Sequence, residues 1–227
     1  KQELGNLSTD NSQNEYYLTD VLENIAKNNN VATLAVDSES ILGVNSRIQL
    51  AQAETVMRKR INEAHMRNGV TLINPDCTYI DKSVIIEKDC IIYPNCHIKG
   101  NTLIRSNTEI RENAVIENSV IGECVSVKSS TIIDSQIGNG TTVGPYAYLR
   151  PGSRIGNNCK IGDFVEFKNA SFGDGSKASH LSYIGDADVG SNVNIGCGVV
   201  FVNYDGKNKF RTVVKDNSFV GSNSNLV

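Results

Sequence analysis

One isoleucine recurs every six residues in the middle of the chain, seven times in succession. The positions are Ile80, Ile86, Ile92, Ile98, Ile104, Ile110 and Ile116. A second series of mostly small residues runs in phase with them, at Val84, Cys90, Cys96, Thr102, Thr108 and Ala114. A period of six fits neither the 3.6-residue repeat of an α-helix nor the two-residue alternation of an isolated strand. The chain therefore returns to the same environment once in every hexapeptide.

The hexapeptide period resumes further along the chain, at Val143, Leu149, Ile155, Ile161 and Phe167, and again after a shift at Val189, Ile195 and Phe201. A hexapeptide is too short to bury its own apolar side chain, so copies are expected to stack as a solenoid. We predict a mainly β chain, with a parallel β-helix over residues 70–227 in which three hexapeptides close one triangular coil. Ile80, Ile98 and Ile116 should then stack at about the 4.8 Å spacing of paired strands. Repeat arithmetic gives roughly nine coils.

The first part of the chain lacks this period. In residues 1–45, helical spacing from Val21 to Ala26 precedes a predicted short strand at 31–36, so we expect a small α/β remnant of a larger domain. Residues 46–69 are predicted to be a connecting helix that begins at an N-cap, Ser46, and stops at Gly69. Its expected apolar stripe comprises Ile48, Ala51, Val56, Ile61 and Ala64.

Two irregular stretches interrupt the repeats. The phase slips around 117–137, which predicts a bulge or loop, and residues 203–211 abandon the pattern. Solenoids place such insertions on one face, often the binding face. Because the chain begins at Lys1 and ends at Val227 within a hexapeptide, we expect a fragment whose β-helix is incomplete at its C-terminal end.

Composition narrows the function classes. The formal charge of −3 does not favour nucleic-acid binding. No apolar run approaches the roughly 20 residues needed to span a bilayer. Three of the six cysteines (Cys90, Cys96 and Cys159) occupy the small-residue series, and no Cys-X-X-Cys pair is present. The cysteines therefore indicate reduced thiols and a cytoplasmic protein.

The candidate chemistry centres on His180, which follows the regular repeats. A neutral imidazole can accept a proton from an amine or hydroxyl near neutral pH, although a lone histidine is also often structural. Arg150 and Lys168 are 18 positions apart, which is one coil, so they should lie on the same edge about 5 Å apart. An anion such as phosphate could bridge the two cations, or both could be solvated surface residues.

Four motifs in this region occur together and in order. They are Tyr148-Leu149-Arg150-Pro151-Gly152, Glu166-Phe167-Lys168-Asn169-Ala170, His180-Leu181-Ser182-Tyr183-Ile184-Gly185-Asp186-Ala187 and Asn203-Tyr204-Asp205-Gly206-Lys207. On these motifs the chain resembles the GlmU family of bacterial enzymes, which join N-acetylglucosamine-1-phosphate uridyltransferase to glucosamine-1-phosphate N-acetyltransferase. Residues 1–45 resemble the end of the uridyltransferase domain, and residues 46–69 resemble the connecting helix.

The resemblance implies a left-handed β-helix that assembles as a homotrimer with active sites between subunits. It implies acetyl transfer from acetyl-CoA to the amine of glucosamine-1-phosphate. In the intact protein, uridyl transfer from UTP would follow and yield UDP-N-acetylglucosamine for cell-wall precursors. By the same resemblance His180 is the general base, and the sugar phosphate is held by Arg150, Lys168, Tyr183 and Asn194. The acetyl donor is met by Asn203, Tyr204, Cys197 and Ser222, and a backbone N–H near position 197 would stabilise the oxyanion.

The chain also departs from the family pattern. Position 197 is Cys where the family commonly has Ala, which is either a packing change or, less simply, an acyl-forming nucleophile. The glycine-rich nucleotide loop of the family is absent from this sequence. Asn45 would contact Mg²⁺ and nucleotide only within an intact uridyltransferase domain, so we expect neither bound Mg²⁺ nor uridyl transfer here.

Three rival functions remain open at this point. An acyltransferase for another sugar would use the same fold, and a bare trimerisation scaffold would need no chemistry. A zinc hydratase on a β-helix would need three histidine ligands with a close pair, and the three histidines here include no such pair.

Overall fold

The computed structural model describes residues 2–27 and 29–227. These residues divide into two compact units, with the boundary between Ala53 and Glu54. The first unit contains 3₁₀ helices at Gln2–Asn6 and Ser38–Ile41, the helix α1 at Asp20–Ala26 and the start of the helix α2. The helix predicted from Val21 to Ala26 is therefore confirmed.

The strand predicted at residues 31–36 is wrong. These residues have no regular secondary structure and are exposed. A strand is stable only when a neighbour satisfies its backbone N–H and C=O groups, and no strand lies in the described part of this unit. The regular structure described before α2 is therefore helical, and the predicted α/β character of this segment is wrong.

The helix α2 spans Arg47–Arg67, within the predicted 46–69. The predicted N-cap is confirmed, because the Gln49 N–H donates a hydrogen bond to the Ser46 hydroxyl at 3.2 Å. The Asn45 N–H in turn donates to the side-chain oxygen of Gln49 at 2.7 Å. Gln49 is therefore bonded both to the N-cap residue and to the residue before it, which holds the first turn of the helix.

The predicted apolar stripe of α2 is only partly correct. Ile61 packs against the core, but Ile48 and Ala51 are exposed. The fully buried residue of the helix is Asn62, whose amide donates to the carbonyl oxygens of Pro75 at 2.7 Å and Thr78 at 2.9 Å. A polar side chain thus docks the helix to the first coil by satisfying turn carbonyls, which a search for apolar periodicity does not detect.

The second unit is a parallel solenoid of three sheets. The strands of the first sheet are β1 Thr71–Leu72, β4 Ile91–Ile92, β7 Glu109–Ile110, β10 Ser126–Val127, β13 Thr142–Val143, β16 Lys160–Asp163, β19 Lys177–His180, β22 Asn194–Ile195 and β25 Phe219–Val220. Those of the second are β2 Tyr79–Ile80, β5 His97–Lys99, β8 Val115–Glu117, β11 Thr131–Ile133, β14 Tyr148–Leu149, β17 Glu166–Lys168, β20 Tyr183–Gly185, β23 Val200–Phe201 and β26 Asn225–Leu226. Those of the third are β3 Ile85–Ile86, β6 Leu103–Ile104, β9 Val120–Ile121, β12 Gln136–Ile137, β15 Arg154–Ile155, β18 Ser171–Phe172, β21 Ala187–Val189 and β24 Thr212–Val214. A 3₁₀ turn at Pro75–Cys77 joins β1 to β2.

The hexapeptide isoleucines fill the interior of this solenoid. Ile80 pairs with Ile98, and Ile98 pairs with Ile116, as predicted. All seven isoleucines of the first series are buried. The largest fully buried side chains are Phe167, Phe172 and Phe201, in the later coils. The core of one large apolar side chain per hexapeptide is therefore confirmed, with phenylalanine in place of an aliphatic residue at some later positions.

The small-residue series is buried at the corners, also as predicted. The side chains of Cys90, Cys96 and Thr108 face backbone carbonyls of the next coil; for example, the Thr108 hydroxyl donates to the Gly122 carbonyl at 2.8 Å. Burial raises the pKa of the Cys96 thiol to about 11, so this thiol stays protonated and unreactive. All six cysteines are free in the structure.

The length of a coil varies along the solenoid. Val115 pairs with Thr131, 16 positions later, whereas His97 pairs with Val115 after 18. The phase slip at 117–137 is therefore a shortened coil with ordinary strands, and the predicted bulge or loop is wrong. The insertion at 203–211 is confirmed, because Asp188 pairs with Val213 after 25 positions. Within the described residues, no helix has the length and apolarity needed to cross a membrane.

Replacing a buried isoleucine should be far more costly than replacing an exposed one. Ile92→Ala should lower the free energy of unfolding by about 2–5 kcal/mol, because the side chain is 0% exposed and leaves a cavity. The matched control is Ile85→Ala, at a site that is 60% exposed, and should cost about 0.5 kcal/mol or less. Urea unfolding followed by circular dichroism measures both. Equal losses in the two variants would contradict the inward-facing assignment.

Candidate active site

Three of the predicted site residues, Arg150, Lys168 and Tyr183, lie on or directly beside strands of the second sheet. Tyr148 pairs with Glu166, and Glu166 pairs with Tyr183, so the three residues follow one another in successive coils. Arg150 directly follows β14, and its N–H donates to the Phe167 carbonyl at 2.9 Å. This bond continues the register and places Arg150 beside Lys168, as the 18-residue spacing predicted.

The Arg150 guanidinium is not a free cation. Its Nη1 donates to Glu166 Oε1 at 2.8 Å, and the guanidinium carbon lies 6.0 Å from the centre of the Tyr148 ring. The hydrogen bond to Glu166 raises the pKa of the guanidinium above its ordinary value. An anion at this edge would therefore share Arg150 with a carboxylate, and Glu166 is a site residue that the spacing argument missed.

Tyr183 depends on the glycine two residues after it. A Cβ atom at Gly185 would lie 2.3 Å from the Tyr183 hydroxyl, so the tyrosine lies across the space that a side chain would fill. Gly185 is also the residue paired with Lys168. The missing side chain thus lets the phenol reach towards the Lys168 column, which assembles Arg150, Lys168 and Tyr183 at one edge of the second sheet.

His180 lies at the end of β19, at the corner that leads into the second sheet. Its Nδ1 lies 2.9 Å from Asp163 Oδ1, and the two residues pair across neighbouring strands. An ionised carboxylate can only accept a hydrogen bond, so Nδ1 donates, and in the neutral imidazole Nε2 then carries the lone pair. The imidazole is exposed, so Nε2 is available to an incoming group. Asp163 was not predicted, because it precedes His180 by 17 residues rather than 18.

Two further predicted site residues, Cys197 and Ser222, lie at the same corner as His180. Ala178 pairs with Ile195, and Ile195 pairs with Val220. Two residues further on, this register places Cys197 beside His180 and Ser222 beside Cys197. The N–H groups of the residues on either side of Cys197 donate to carbonyls, and no acceptor for the Cys197 N–H is found in the described part of the chain.

Two predicted residues lie apart from this corner. Asn194 is on β22 of the first sheet, between Lys177 and Phe219, so a single chain does not place it at the edge formed by Arg150 and Lys168. Asn45 precedes α2 and is exposed. It brings a single amide to the divalent site for which it was proposed. The described residues contain no group of three His, Cys, Asp or Glu side chains placed to hold a metal ion, such as the histidine set that a zinc hydratase would need.

The remaining predicted residues belong to residues 203–211, called here the 203–211 loop. Asn203 is nearly buried, whereas Tyr204 is 55% exposed and forms an isolated bridge with Lys209. The Tyr204 hydroxyl donates to the Gly206 carbonyl at 2.7 Å. The Asp205 carboxylate accepts hydrogen bonds from two backbone N–H groups of the loop tip. The loop is therefore an ordered turn rather than an open excursion.

The Arg211 side chain holds the end of the 203–211 loop in place with hydrogen bonds to earlier coils. Its Nε and Nη2 each donate to the Asp188 carboxylate at 2.6 Å. Nη1 donates to the Asn169 carbonyl at 2.9 Å, and Nη2 also reaches the Ala187 carbonyl at 3.0 Å. Arg211, one of the basic residues near the site, therefore ties the loop to two earlier coils instead of offering a free charge to a ligand.

Comparisons with known proteins find a matching repeat family and longer relatives of this chain. The family "Bacterial transferase hexapeptide (six repeats)" matches residues 83–118 and 134–169. The "Bifunctional protein GlmU" of Clostridioides difficile (strain 630) is 59% identical over 229 residues, which is 100% of this chain and 50% of that protein. GlmU of Clostridium botulinum (strain 657 / Type Ba4) is 56% identical over 99% of this chain and 49% of that protein. The chain thus spans about half the length of these relatives.

Among solved structures, the acetyltransferase domain of PglB from Neisseria gonorrhoeae, in complex with acetyl coenzyme A, has a TM-score of 0.43. It is 14% identical and covers 56% of this chain and 63% of that chain. This likeness is too distant to bear on function.

The Asp188–Arg211 pair makes a testable prediction about pH. The hydrogen bonds from Arg211 lower the pKa of the Asp188 carboxyl to about 2. A lowered folded-state pKa means that the bond stabilises the fold above the ordinary carboxyl range and is lost as pH falls from about 4 towards 2. Arg211→Gln should therefore raise the Asp188 pKa towards the ordinary range. Carbon-detected NMR titration of the Asp188 carboxyl measures this, and a wild-type midpoint near 4 would contradict the pairing.

Proposed function

Since the chain is a homologue of the bifunctional protein GlmU over about half of that protein's length, we propose that it transfers an acetyl group from acetyl-CoA to the amine of glucosamine-1-phosphate. The observation that carries this proposal is the His180–Asp163 pair at the corner shared with Cys197 and Ser222. It supports a base at the corner before the second sheet, whose far edge carries the two cations Arg150 and Lys168. The products would be N-acetylglucosamine-1-phosphate and CoA.

In the proposed reaction the sugar amine attacks the carbonyl carbon of the thioester. His180 Nε2 accepts the proton that the amine loses, and Asp163 holds the resulting imidazolium by its Nδ1–H. The tetrahedral oxyanion would accept a hydrogen bond from the Cys197 N–H, a group that typically contributes about 10²–10³ in rate. The C–S bond then breaks, and the imidazolium returns the proton to the departing CoA thiolate.

The acceptor would be held by its phosphate at the Arg150 and Lys168 edge. One of the five N–H donors of Arg150 is engaged by Glu166, which leaves the others for phosphate oxygens. Tyr183, whose hydroxyl extends over Gly185, would donate to the same phosphate or to the sugar. On the donor side we propose Asn203, Tyr204 and Ser222 as contacts for acetyl-CoA.

We also propose that the active protein is a homotrimer with sites between subunits. Asn194 lies on a different sheet from the cation edge, so a neighbouring copy is needed to bring such residues together. Next to His180 runs a corner column of Tyr146, Phe164 and Leu181, each more than half exposed and each at positive φ. Bulky side chains rarely adopt that conformation, and an exposed apolar column is expected to be covered by another protein surface.

UTP and Mg²⁺ would serve only a uridyltransferase domain, in which Asn45 would be one contact. The domain boundaries at 45/46 and 69/70, and a cytoplasmic location, belong to the same proposal. A second candidate function is acyl transfer to another sugar, because the corner with His180 would act on any suitably placed amine or hydroxyl. A panel of sugar phosphates with acetyl-CoA, read by mass spectrometry of the products, separates these two functions from a non-catalytic scaffold.

Removing the proposed base should abolish most of the acetyl transfer without changing the fold. His180→Ala should lower kcat/KM by about 10²–10⁴, the usual contribution of a positioned base. The matched control is His97→Ala, since His97 lies on β5 of the second sheet, several coils before His180, and stacks on Tyr79 with ring centres 4.6 Å apart. Product mass spectrometry measures the rate, and light scattering checks that three subunits remain. Full activity in His180→Ala would refute the assignment of the base.

A further inference from the structure

The corner between the second and third sheets contains a carboxylate flanked by two amides. Asp186 is only 9% exposed. Its Oδ1 accepts a hydrogen bond from Asn169 Nδ2 at 2.6 Å, and its Oδ2 accepts one from Asn203 Nδ2. Asn169 lies 17 residues before Asp186, and Asn203 lies 17 residues after it. The three side chains thus form a ladder across three successive coils.

The backbone of Asp186 also forms hydrogen bonds with the preceding coil and with the residue that follows the 203–211 loop. Its N–H donates to the Lys168 carbonyl at 2.9 Å, and its carbonyl accepts from the Thr212 N–H at 3.1 Å. Asp186 therefore contacts the cation edge on one side and both ends of the 203–211 loop on the other, since Asn203 begins the loop and Thr212 follows it.

The charge of this carboxylate is retained despite its burial. Burial acts to raise the pKa of Asp186, but the hydrogen bonds from Asn169 and Asn203 and the nearby charges of Lys168 and Lys209 outweigh it. The net effect lowers the pKa below its ordinary value. An ionised Asp186 can accept both amide hydrogen bonds at once, which a neutral amide in its place could not do.

We propose that Asp186 is a positioning residue: its carboxylate orders the 203–211 loop by fixing the Asn203 amide, and so presents Asn203 and Tyr204 to the acetyl donor. With Nδ2 given to Asp186, the Oδ1 of Asn203 is left to accept a hydrogen bond from a ligand. The part of this inference that concerns the donor rests on the proposed function, whereas the ordering of the loop does not.

The first test compares the order of the loop in three variants. Asp186→Asn places an NH₂ group against one of the two amide donors, so one hydrogen bond is lost. The double variant Asp186→Asn/Asn203→Asp restores a continuous chain, because Asn169 can donate to residue 186 and residue 186 can donate to the new carboxylate. The matched control is Asp174→Asn, since Asp174 accepts hydrogen bonds from Asn157 at another corner.

Trypsin cleavage after Lys207 and Lys209, followed by mass spectrometry under native conditions, reports the open fraction of the loop. Cleavage should be at least about tenfold faster in Asp186→Asn, because a charge-assisted hydrogen bond is lost. It should return to within about threefold of wild type in the double variant. It should be unchanged in Asp174→Asn. Equal cleavage in Asp186→Asn and Asp174→Asn, or a double variant as open as the single one, would overturn the ordering role.

The second test separates positioning from general stability. In Asp186→Asn the KM for acetyl-CoA should rise by about tenfold, whereas the KM for glucosamine-1-phosphate should change by less than about twofold. Equal changes in both constants, or no change in either, would overturn the link to the donor. If the wild-type protein transfers no acetyl group, the proposed function fails, and the trypsin comparison still decides whether Asp186 orders the loop.

Discussion

The stacking of one coil on the next is the constraint on which the rest of the structure depends. Each side of a coil must place one large side chain in the interior and one small side chain at the corner, or the parallel strands above and below cannot pair. The isoleucine series from Ile80 to Ile116 meets the first requirement, and the series from Val84 to Ala114 meets the second. The core is thin, so it depends on each of these positions more than a globular core would.

This same constraint turns sequence spacing into contact between functional side chains. Polar residues one coil apart are neighbours on the outer surface, and their distance in sequence is the local coil length. A coil of 18 residues sets Arg150 beside Lys168, and a coil of 17 sets Asp163 beside His180. The 25-residue spacing after Asp188 leaves the 203–211 loop outside the stack, where Asp186 and Arg211 hold it against the coils. The residues of the candidate site are thus brought together by the pairing register between coils and not by a local sequence motif.

The sequence predicted correctly those features that depend only on the six-residue period. It predicted the inward isoleucines, the buried Cys90 and Cys96, the alignment of Arg150 with Lys168 and the insertion at 203–211. Asp163 was missed because the coil that joins it to His180 is one residue shorter than the period implies. Glu166 belongs to one of the four sequence motifs. Its ion pair with Arg150 depends on the conformations of the two side chains, which sequence spacing does not determine.

Other failures have different physical causes. Asn62 was missed because a buried amide that caps turn carbonyls has no periodic signature. The strand predicted at 31–36 had suitable residues but no neighbour to pair with. The roles of His180, Arg150, Lys168, Tyr183 and Asn203 come from the resemblance to GlmU and remain proposals, because no geometry within one chain identifies a substrate.

The coil register is tested most directly by disulfide trapping, in a background in which the exposed Cys124 and Cys197 are replaced by Ser. Lys160 pairs with Lys177, and Thr142 pairs with Lys160 one coil before. Cysteines at 160 and 177 should therefore form a disulfide on mild oxidation, since paired strands lie about 4.8 Å apart. Cysteines at 142 and 177, two coils apart, lie beyond the roughly 7 Å reach of a disulfide and should not. Mass spectrometry that finds the 142–177 bond, or no 160–177 bond, would contradict the register and with it the assembly of the site.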